Sequence, residues 1–131
     1  MHHYKEIAVI MKNNESSEDY LETILMLSEV KPVVRSVDIA NELGYKKSSV
    51  SVAMKNLRER GHITVTDEGY IYLTETGKQI ADMIYERHKL ISEWLMKLGV
   101  PKDIALDDAC KVEHDLSTES FDAIKKYVTG K

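Results

Sequence analysis

With 131 residues and 15.0 kDa the chain is sized for one domain or two very small ones, in which roughly two-thirds of the unfolded surface can be buried. Its 43% apolar and 31% charged residues exclude disorder, collagen and coiled coil; apolar runs such as Ile7–Met11 and Ile24–Leu27 fall far short of the ~20 residues that span a bilayer; and Cys110, being alone, excludes an internal disulfide. A net charge of −4, from 18 basic and 22 acidic residues, weighs against a nucleic-acid partner, for which a basic excess is the usual footprint.

Residues 1–16 read as an N-terminal extension: a weakly patterned stretch to Met11, then the polar Lys12-Asn13-Asn14-Glu15-Ser16. Ser16 and Ser17, followed by Glu18 and Asp19, offer a helix N-cap with acids in the first turn, where they suit the helix dipole. Tyr20, Leu21, Ile24, Leu25 and Leu27 then recur with a helical period to about Val30. Lys31-Pro32 ends the segment, because proline disfavours helix in the residue before it.

Ser36 is expected to cap a short helix that turns Val37, Ala40 and Leu43 inward, with Gly44 at a left-handed C-cap. A second helix is expected over Ser48–Arg60, ended by Gly61. Val50, Met54 and Leu57 share its inner face, while Ser48, Ser49, Ser51, Val52 and Lys55 point outward. Two short helices about a tight glycine turn make the helix-turn-helix pattern. Beyond it, the stretch Ile63 to Leu73 reads as two strands of alternating β-branched and aromatic residues about a turn with Gly69, which predicts a β-hairpin. Helix-turn-helix followed by hairpin is a winged helix-turn-helix, assigned to residues 17–74. Tyr70 and Tyr72 are read as hairpin packing rather than as wing contacts.

From Glu75 to Leu98 a broad apolar face, with Ile80, Ile84, Ile91 and Leu95 on it, predicts about six turns of helix. Gly99-Val100-Pro101 stops it. Pro101 is expected to open another helix to about Asp115, and Ser117 to cap a last one over Thr118–Val128. Helices with no second core of their own most simply form a dimer interface. The expected fold is therefore mainly α, an N-terminal winged helix-turn-helix plus a C-terminal helical dimerisation domain over residues 75–131.

Cys110, Glu113 and His114 stand at i, i+3 and i+4, so thiolate, carboxylate and imidazole share one helical face and can converge on an ion. Alone, the triple is as well read as a surface helix with an incidental cysteine, since short motifs often match by chance. Asp19 and Glu22 are three residues apart, opposite the Ile24/Leu27 stripe, and Asp19 has an ordinary reading as a first-turn acid. His88, which interrupts the stripe between Ile84 and Ile91, has one as a hydrogen-bonded core histidine.

Taken together, Ser17-Glu18-Asp19-Tyr20-Leu21-Glu22, Val37-Asp38-Ile39-Ala40, Ser48-Ser49-Val50, Leu73-Thr74-Glu75-Thr76-Gly77, Arg87-His88 and Val112-Glu113-His114-Asp115-Leu116-Ser117 resemble the iron- and manganese-dependent repressors related to DtxR and MntR. The resemblance runs from about Ser17 to Val128. It implies a homodimer with two winged-helix domains and a helical dimerisation core, with divalent metal bound between the two parts as corepressor. Position by position, Asp19, Glu22, His88, Glu113 and His114 fall on ligand positions of the manganese branch, whose remaining ligand, a glutamate, is Cys110 here. Cysteine at that place is what the iron branch uses, yet that branch has methionine where this chain has Asp19. The implied site is a hybrid, and residues 75–131 are implied to bind metal as well as to dimerise.

Two ancillary ligand positions of the iron branch are occupied by Ser92 and Leu106, and the SH3-like domain of longer members has no counterpart in the sequence. A thiolate adds softness that favours Fe²⁺, Co²⁺ or Zn²⁺ over Mn²⁺, so Fe²⁺ is placed ahead of Mn²⁺ as the corepressor. So many side chains suit one or two ions per chain, with some donors held back from direct ligation.

DNA contact is expected on the second helix of the helix-turn-helix. Arg35, Lys46, Lys47 and Lys55 meet phosphates, while Ser48, Ser49 and Ser51 are short enough to let the helix approach base edges. Dimer symmetry predicts a palindromic operator. The net charge hides this basic head, since residues 31–60 hold seven basic and three acidic residues. The expected function is that of a cytoplasmic, metal-activated repressor of metal-uptake genes, not an enzyme and with no membrane partner. One rival is a winged-helix regulator that senses oxidants through Cys110, although the nearby Asp107, Asp108 and Glu113 disfavour the thiolate it needs. A remote one is a small metallohydrolase using Cys110, Glu113 and His114, for which lid, substrate loop and uncommitted base are all lacking.

Overall fold

The computed structural model describes residues 2–130, with side chains from residue 16 onward, so those of His2 and His3 lie outside the description. In chain order the elements are α1 (His2–Val30), α2 (Ser36–Leu43), α3 (Lys47–Glu59), β1 (Ile63–Val65), β2 (Ile71–Leu73), α4 (Glu75–Lys97), α5 (Lys102–Val112) and α6 (Thr118–Thr129). They make two compact units, Met1–Asp82 and Met83–Lys131, with α4 beginning in the first and ending in the second.

The N-terminal unit differs from expectation at its start. α1 runs from His2 through Val30, so Ser16 and Ser17 lie inside a helix rather than at its N-cap. Residues 2–15 contain neither glycine nor proline, and a helix once nucleated adds one hydrogen bond for each residue it fixes. The Ser17 hydroxyl serves a tertiary contact instead, accepting from Arg60 Nη1 at 3.4 Å.

α1 packs on α2 and on β2, α2 on α3, and α3 on β1. Leu21, Ile24, Ile39, Val50, Leu57 and Ile63, none more than 2% exposed, form the centre of the core these contacts enclose. Each buried side chain of this size contributes roughly 1.5–3 kcal/mol. The residue before α2 is Arg35, not Ser36, and its backbone N–H donates to Asp38 Oδ2 at 2.9 Å. An acid in the first turn reaching back to the cap supersedes the serine. Gly44 ends α2 in the left-handed conformation, φ 70°, as its place after Leu43 predicted.

β1 and β2 pair antiparallel, Ile63 with Leu73, Thr64 with Tyr72 and Val65 with Ile71. The Ile71 N–H donates to Val34 O at 2.8 Å, tying the wing to the segment between α1 and α2. The join from wing to α4 explains the Thr74-Glu75-Thr76-Gly77 motif. Thr74 Oγ1 donates to Gly61 O at 2.7 Å and accepts from the Gly77 N–H at 3.3 Å, capping α4. A Cβ on Gly77 would stand 1.9 Å from His62 O, so only glycine admits that backbone.

In the C-terminal unit α4 closes where Val100 N–H donates to Leu95 O at 3.0 Å, and Pro101 sits at the N-cap of α5. α5 ends at Val112, earlier than expected. Ser117 caps α6 as predicted, its hydroxyl accepting from the Ser120 N–H at 3.1 Å. Among the described residues no helix is long and apolar enough to cross a membrane.

Candidate functional site

Two sets of candidate residues occur, one in each unit. The first is the outer surface of α3 and its approaches. Val50, Met54 and Leu57 fasten α3 to the core, which leaves Lys46, Lys47, Ser48, Ser49, Ser51 and Lys55 exposed. Ser48, Ser49, Ser51 and Lys55 face outward as expected, and α3 begins one residue earlier than expected, at Lys47. Lys46 is the N-cap of α3, so its ammonium and that of Lys47 stand at the end of the helix whose free N–H groups already favour anions. Arg35 is held differently: its guanidinium lies 4.9 Å over the ring of Tyr70. Tyr70 is thus engaged in packing, as expected. Tyr72 is 47% exposed and is not, because successive strand residues alternate in direction and Ile71 takes the inward one. A crevice of about 240 Å³ to the side of α3, near Lys55, is lined by Ser36, Ser51, Met54, Lys55, Arg58 and Val65.

The second set is centred on Glu113. Its side chain is fully buried, and its two carboxylate oxygens face two imidazoles: Oε2 lies 3.0 Å from His88 Nδ1 and Oε1 lies 3.4 Å from His114 Nε2. A carboxylate oxygen of Glu113 also lies within 4.8 Å of Cys110 Sγ. The His114 side chain is 3% exposed, whereas Cys110 is exposed. Four of the six predicted ligand residues are therefore brought together in this unit. His114 is presented by the turn after α5 rather than by the helix, which ends at Val112 with Glu113 as its C-cap, at φ −57° and ψ −30°. Asp19 and Glu22 stand on α1 in the N-terminal unit, three residues apart and so on neighbouring positions of that helix, with Glu22 9% exposed.

The sequence reading missed Arg87 as an individual contributor. It is 6% exposed, and its Nη1 donates to Glu113 O at 3.0 Å and to Leu116 O at 2.8 Å. Its guanidinium also lies 5.1 Å over the ring of Phe121. These contacts satisfy the carbonyls of Glu113, the C-cap of α5, and of Leu116 beyond it, and fix the turn that carries Glu113 and His114. The signal was present: Arg87 is three residues after Ile84 and four before Ile91, inside an apolar stripe where a solvated arginine has no place. Of these donors, imidazole and carboxylate are good ligands for divalent first-row metals, and the thiol is a softer addition. The residues present fit such an ion.

Comparisons with known proteins agree across nearly the whole chain. The N-terminal DNA binding domain described as iron dependent repressor matches residues 13–70, and the iron dependent repressor metal binding and dimerisation domain matches residues 74–130. The transcriptional regulator MntR of Escherichia coli O6:H1 is 34% identical over 113 residues, covering 86% of this chain and 73% of that protein. An HTH-type transcriptional regulator of Methanocaldococcus jannaschii is 34% identical over 117 residues, covering 88% of this chain and 94% of the other. Among solved structures, a manganese-dependent transcriptional repressor in complex with manganese superposes with a TM-score of 0.79 at 27% identity, covering 86% of this chain and 52% of that one. The chain thus spans about half the length of that solved repressor.

Proposed function

Because this chain belongs to the iron-dependent repressor family, we propose that it is a DNA-binding transcriptional repressor that works as a homodimer with Fe²⁺ or Mn²⁺ as corepressor. The observation that carries this is the buried Glu113 carboxylate, set between the imidazoles of His88 and His114 at 3.0 and 3.4 Å. Oxygen and nitrogen donors of this kind suit a divalent ion.

The proposed ligands are Asp19, Glu22, His88, Cys110, Glu113 and His114. For Asp19 and Glu22 the support is the family pattern and their spacing on α1. Cys110 in place of the manganese branch's glutamate places Fe²⁺ ahead of Mn²⁺, with Co²⁺ and Zn²⁺ accepted in vitro. A bound divalent ion supplies positive charge that offsets the carboxylates and the thiolate, and one or two ions per chain suit six donors. Glu113 and the two histidines orient one another, and Arg87 fixes the turn beneath them. In this reading metal occupancy and DNA binding are linked, so DNA must tighten metal binding by the same factor as metal tightens DNA binding.

The DNA-binding residues in this proposal are Arg35, Lys46, Lys47, Ser48, Ser49, Ser51 and Lys55, acting on a palindromic operator of metal-uptake genes in the cytoplasm. No catalytic step is assigned. The test is titration of the protein against a duplex enriched from a random pool, with Mn²⁺, with Fe²⁺ under anaerobic conditions, and with chelator. Metal is expected to tighten binding strongly, and His114→Ala to remove that response while leaving the fold intact. Equal affinity with and without metal overturns the corepressor role.

The exposure of Cys110 favours a second reading, oxidant sensing at that thiol. It requires peroxide to abolish DNA binding with no effect of metal.

A further inference from the structure

α3 carries one exposed large apolar residue, which the contacts proposed above leave unused. Val52 is 60% exposed. At 3.6 residues per turn it points about 160° away from Val50 and from Met54, the residues that bury the inner face. Val52 therefore stands at the crest of the outward face, with Ser48 one turn before it and Lys55 and Asn56 one turn after, all of them exposed. The serines are too short to shield its isopropyl group.

A β-branched residue on the open face of a helix is favoured neither by propensity nor by solvation. Single exposed apolar residues are common and need no partner. What distinguishes Val52 is its surroundings: Lys46, Lys47, Lys55 and Arg58 are exposed on the same helix or at its start, and no other large apolar side chain of α3 joins it. One valine among serines and lysines is too small an apolar patch for a protein or membrane partner. It matches a polyanion that displays isolated methyl groups. In double-stranded DNA the major groove does so at each thymine C5.

We infer that Val52 is a specificity-determining residue whose isopropyl group packs against the C5-methyl of a thymine in the major groove. This rests on the DNA-binding role proposed above. The lysines then supply sequence-independent attraction to phosphates, and Val52 supplies discrimination at one base pair in each half-site. A thymine methyl removed from water is worth on the order of fourfold in affinity, from ~0.8 kcal/mol per methyl-sized group, and about fifteenfold for the symmetric pair.

The test uses the full chain with Mn²⁺ and a duplex enriched from a random pool, in which each thymine in turn is replaced by deoxyuridine, which lacks only the methyl. At one symmetry-related pair the replacement is expected to weaken wild-type binding by about fifteenfold and to have no effect on Val52→Ala. Val52→Thr, which keeps a methyl on Cβ, is expected to retain part of the sensitivity. Melting curves of the variants should match wild type, since Val52 lies outside the core. Equal losses in wild type and Val52→Ala at every thymine overturn the inference and leave DNA binding standing. Failure of the wild type to enrich any duplex, with or without metal, overturns both.

Discussion

Arg87 Nη1 donates to the carbonyl oxygen of Glu113 at 3.0 Å, so a buried guanidinium on α4 fixes the backbone that carries the buried carboxylate. The next residue, His88, meets the Glu113 side chain at the same distance. Two consecutive residues of one helix thus hold the main chain and the side chain of a single residue 26 and 25 positions away. Without them the turn 113–116 would have its carbonyls and its donors set only by local preference.

Arg87→Met removes both hydrogen bonds and leaves two carbonyls of that turn without their donor. Loss of charged hydrogen bonds of this kind is expected to cost the C-terminal unit about 2–4 kcal/mol. Calorimetric melting reads this, and the visible spectrum of the Co²⁺ complex should broaden as the donors of Glu113 and His114 lose their fixed placement. Arg87→Lys should recover only part, because an ammonium lacks the planar face that lies over Phe121. A melt and a spectrum both unchanged from wild type would mean that the turn is held by something else.

Gly77→Ala places a methyl carbon 1.9 Å from His62 O, a backbone atom fixed by the Thr74 N–H at 3.1 Å. Either α4 or the wing must shift, at a cost of about 3 kcal/mol or more. Gly69 is the contrast: at φ 85° it has open space around it. Its alanine variant should lose only the left-handed penalty of about 1–2 kcal/mol. Urea midpoints of the two variants that coincide would contradict the distinction.

Cys110→Glu replaces a soft donor by a hard one at the position where the manganese branch has glutamate. Its expected effect is a shift in preference toward Mn²⁺ over Co²⁺ and Zn²⁺ on the order of tenfold, about 1.4 kcal/mol. Competition with a chelating dye measures the three affinities. If their ratios stay as in wild type, Cys110 is not a ligand, even where metal still activates DNA binding.

Lys125 donates to Glu86 across α6 and α4, and that hydrogen bond, reinforced by their Coulomb attraction, raises the Lys125 pKa above the ordinary lysine value. A cation favoured in the folded state contributes stability that is fully present below the ordinary lysine pKa and is lost as pH rises through the raised one. Neutral pH therefore lies on the plateau. In an alkaline NMR titration of the Lys125 Nζ resonance, Glu86→Gln should bring the midpoint down, and added salt should lower the wild-type midpoint, because both side chains are half exposed. A midpoint that ignores the substitution would rule out the pair as its cause.

Local chemistry was legible in the residues themselves. The inner face of α3, the left-handed Gly44, the hairpin about Gly69 and the Ser117 cap are decided within a few positions of chain, by periodicity, capping and backbone freedom. So was the presence of imidazole, carboxylate and thiol near one another in the last third, through the i, i+3, i+4 spacing of Cys110, Glu113 and His114. On α2 the packing chose otherwise: Ile39 and Ala40 are buried, while Val37, expected to turn inward, is 38% exposed.

Other features required the folded chain. The sequence offers Ser16, Ser17 and Ser36 as caps, but α1 continues past the first two and Asp38 takes over from the third, because capping competes with whatever neighbouring residues can satisfy the same N–H groups. Gly77 reads as a poor helix residue until the His62 carbonyl is seen against it. Arg87 reads as a break in an apolar stripe until the carbonyls of Glu113 and Leu116 arrive from α5 and the turn beyond. Sequence by itself determined which elements form and which donors are available. Tertiary structure decided which of those groups are buried, and hence which must find partners, since desolvation is imposed by packing between segments distant in the chain.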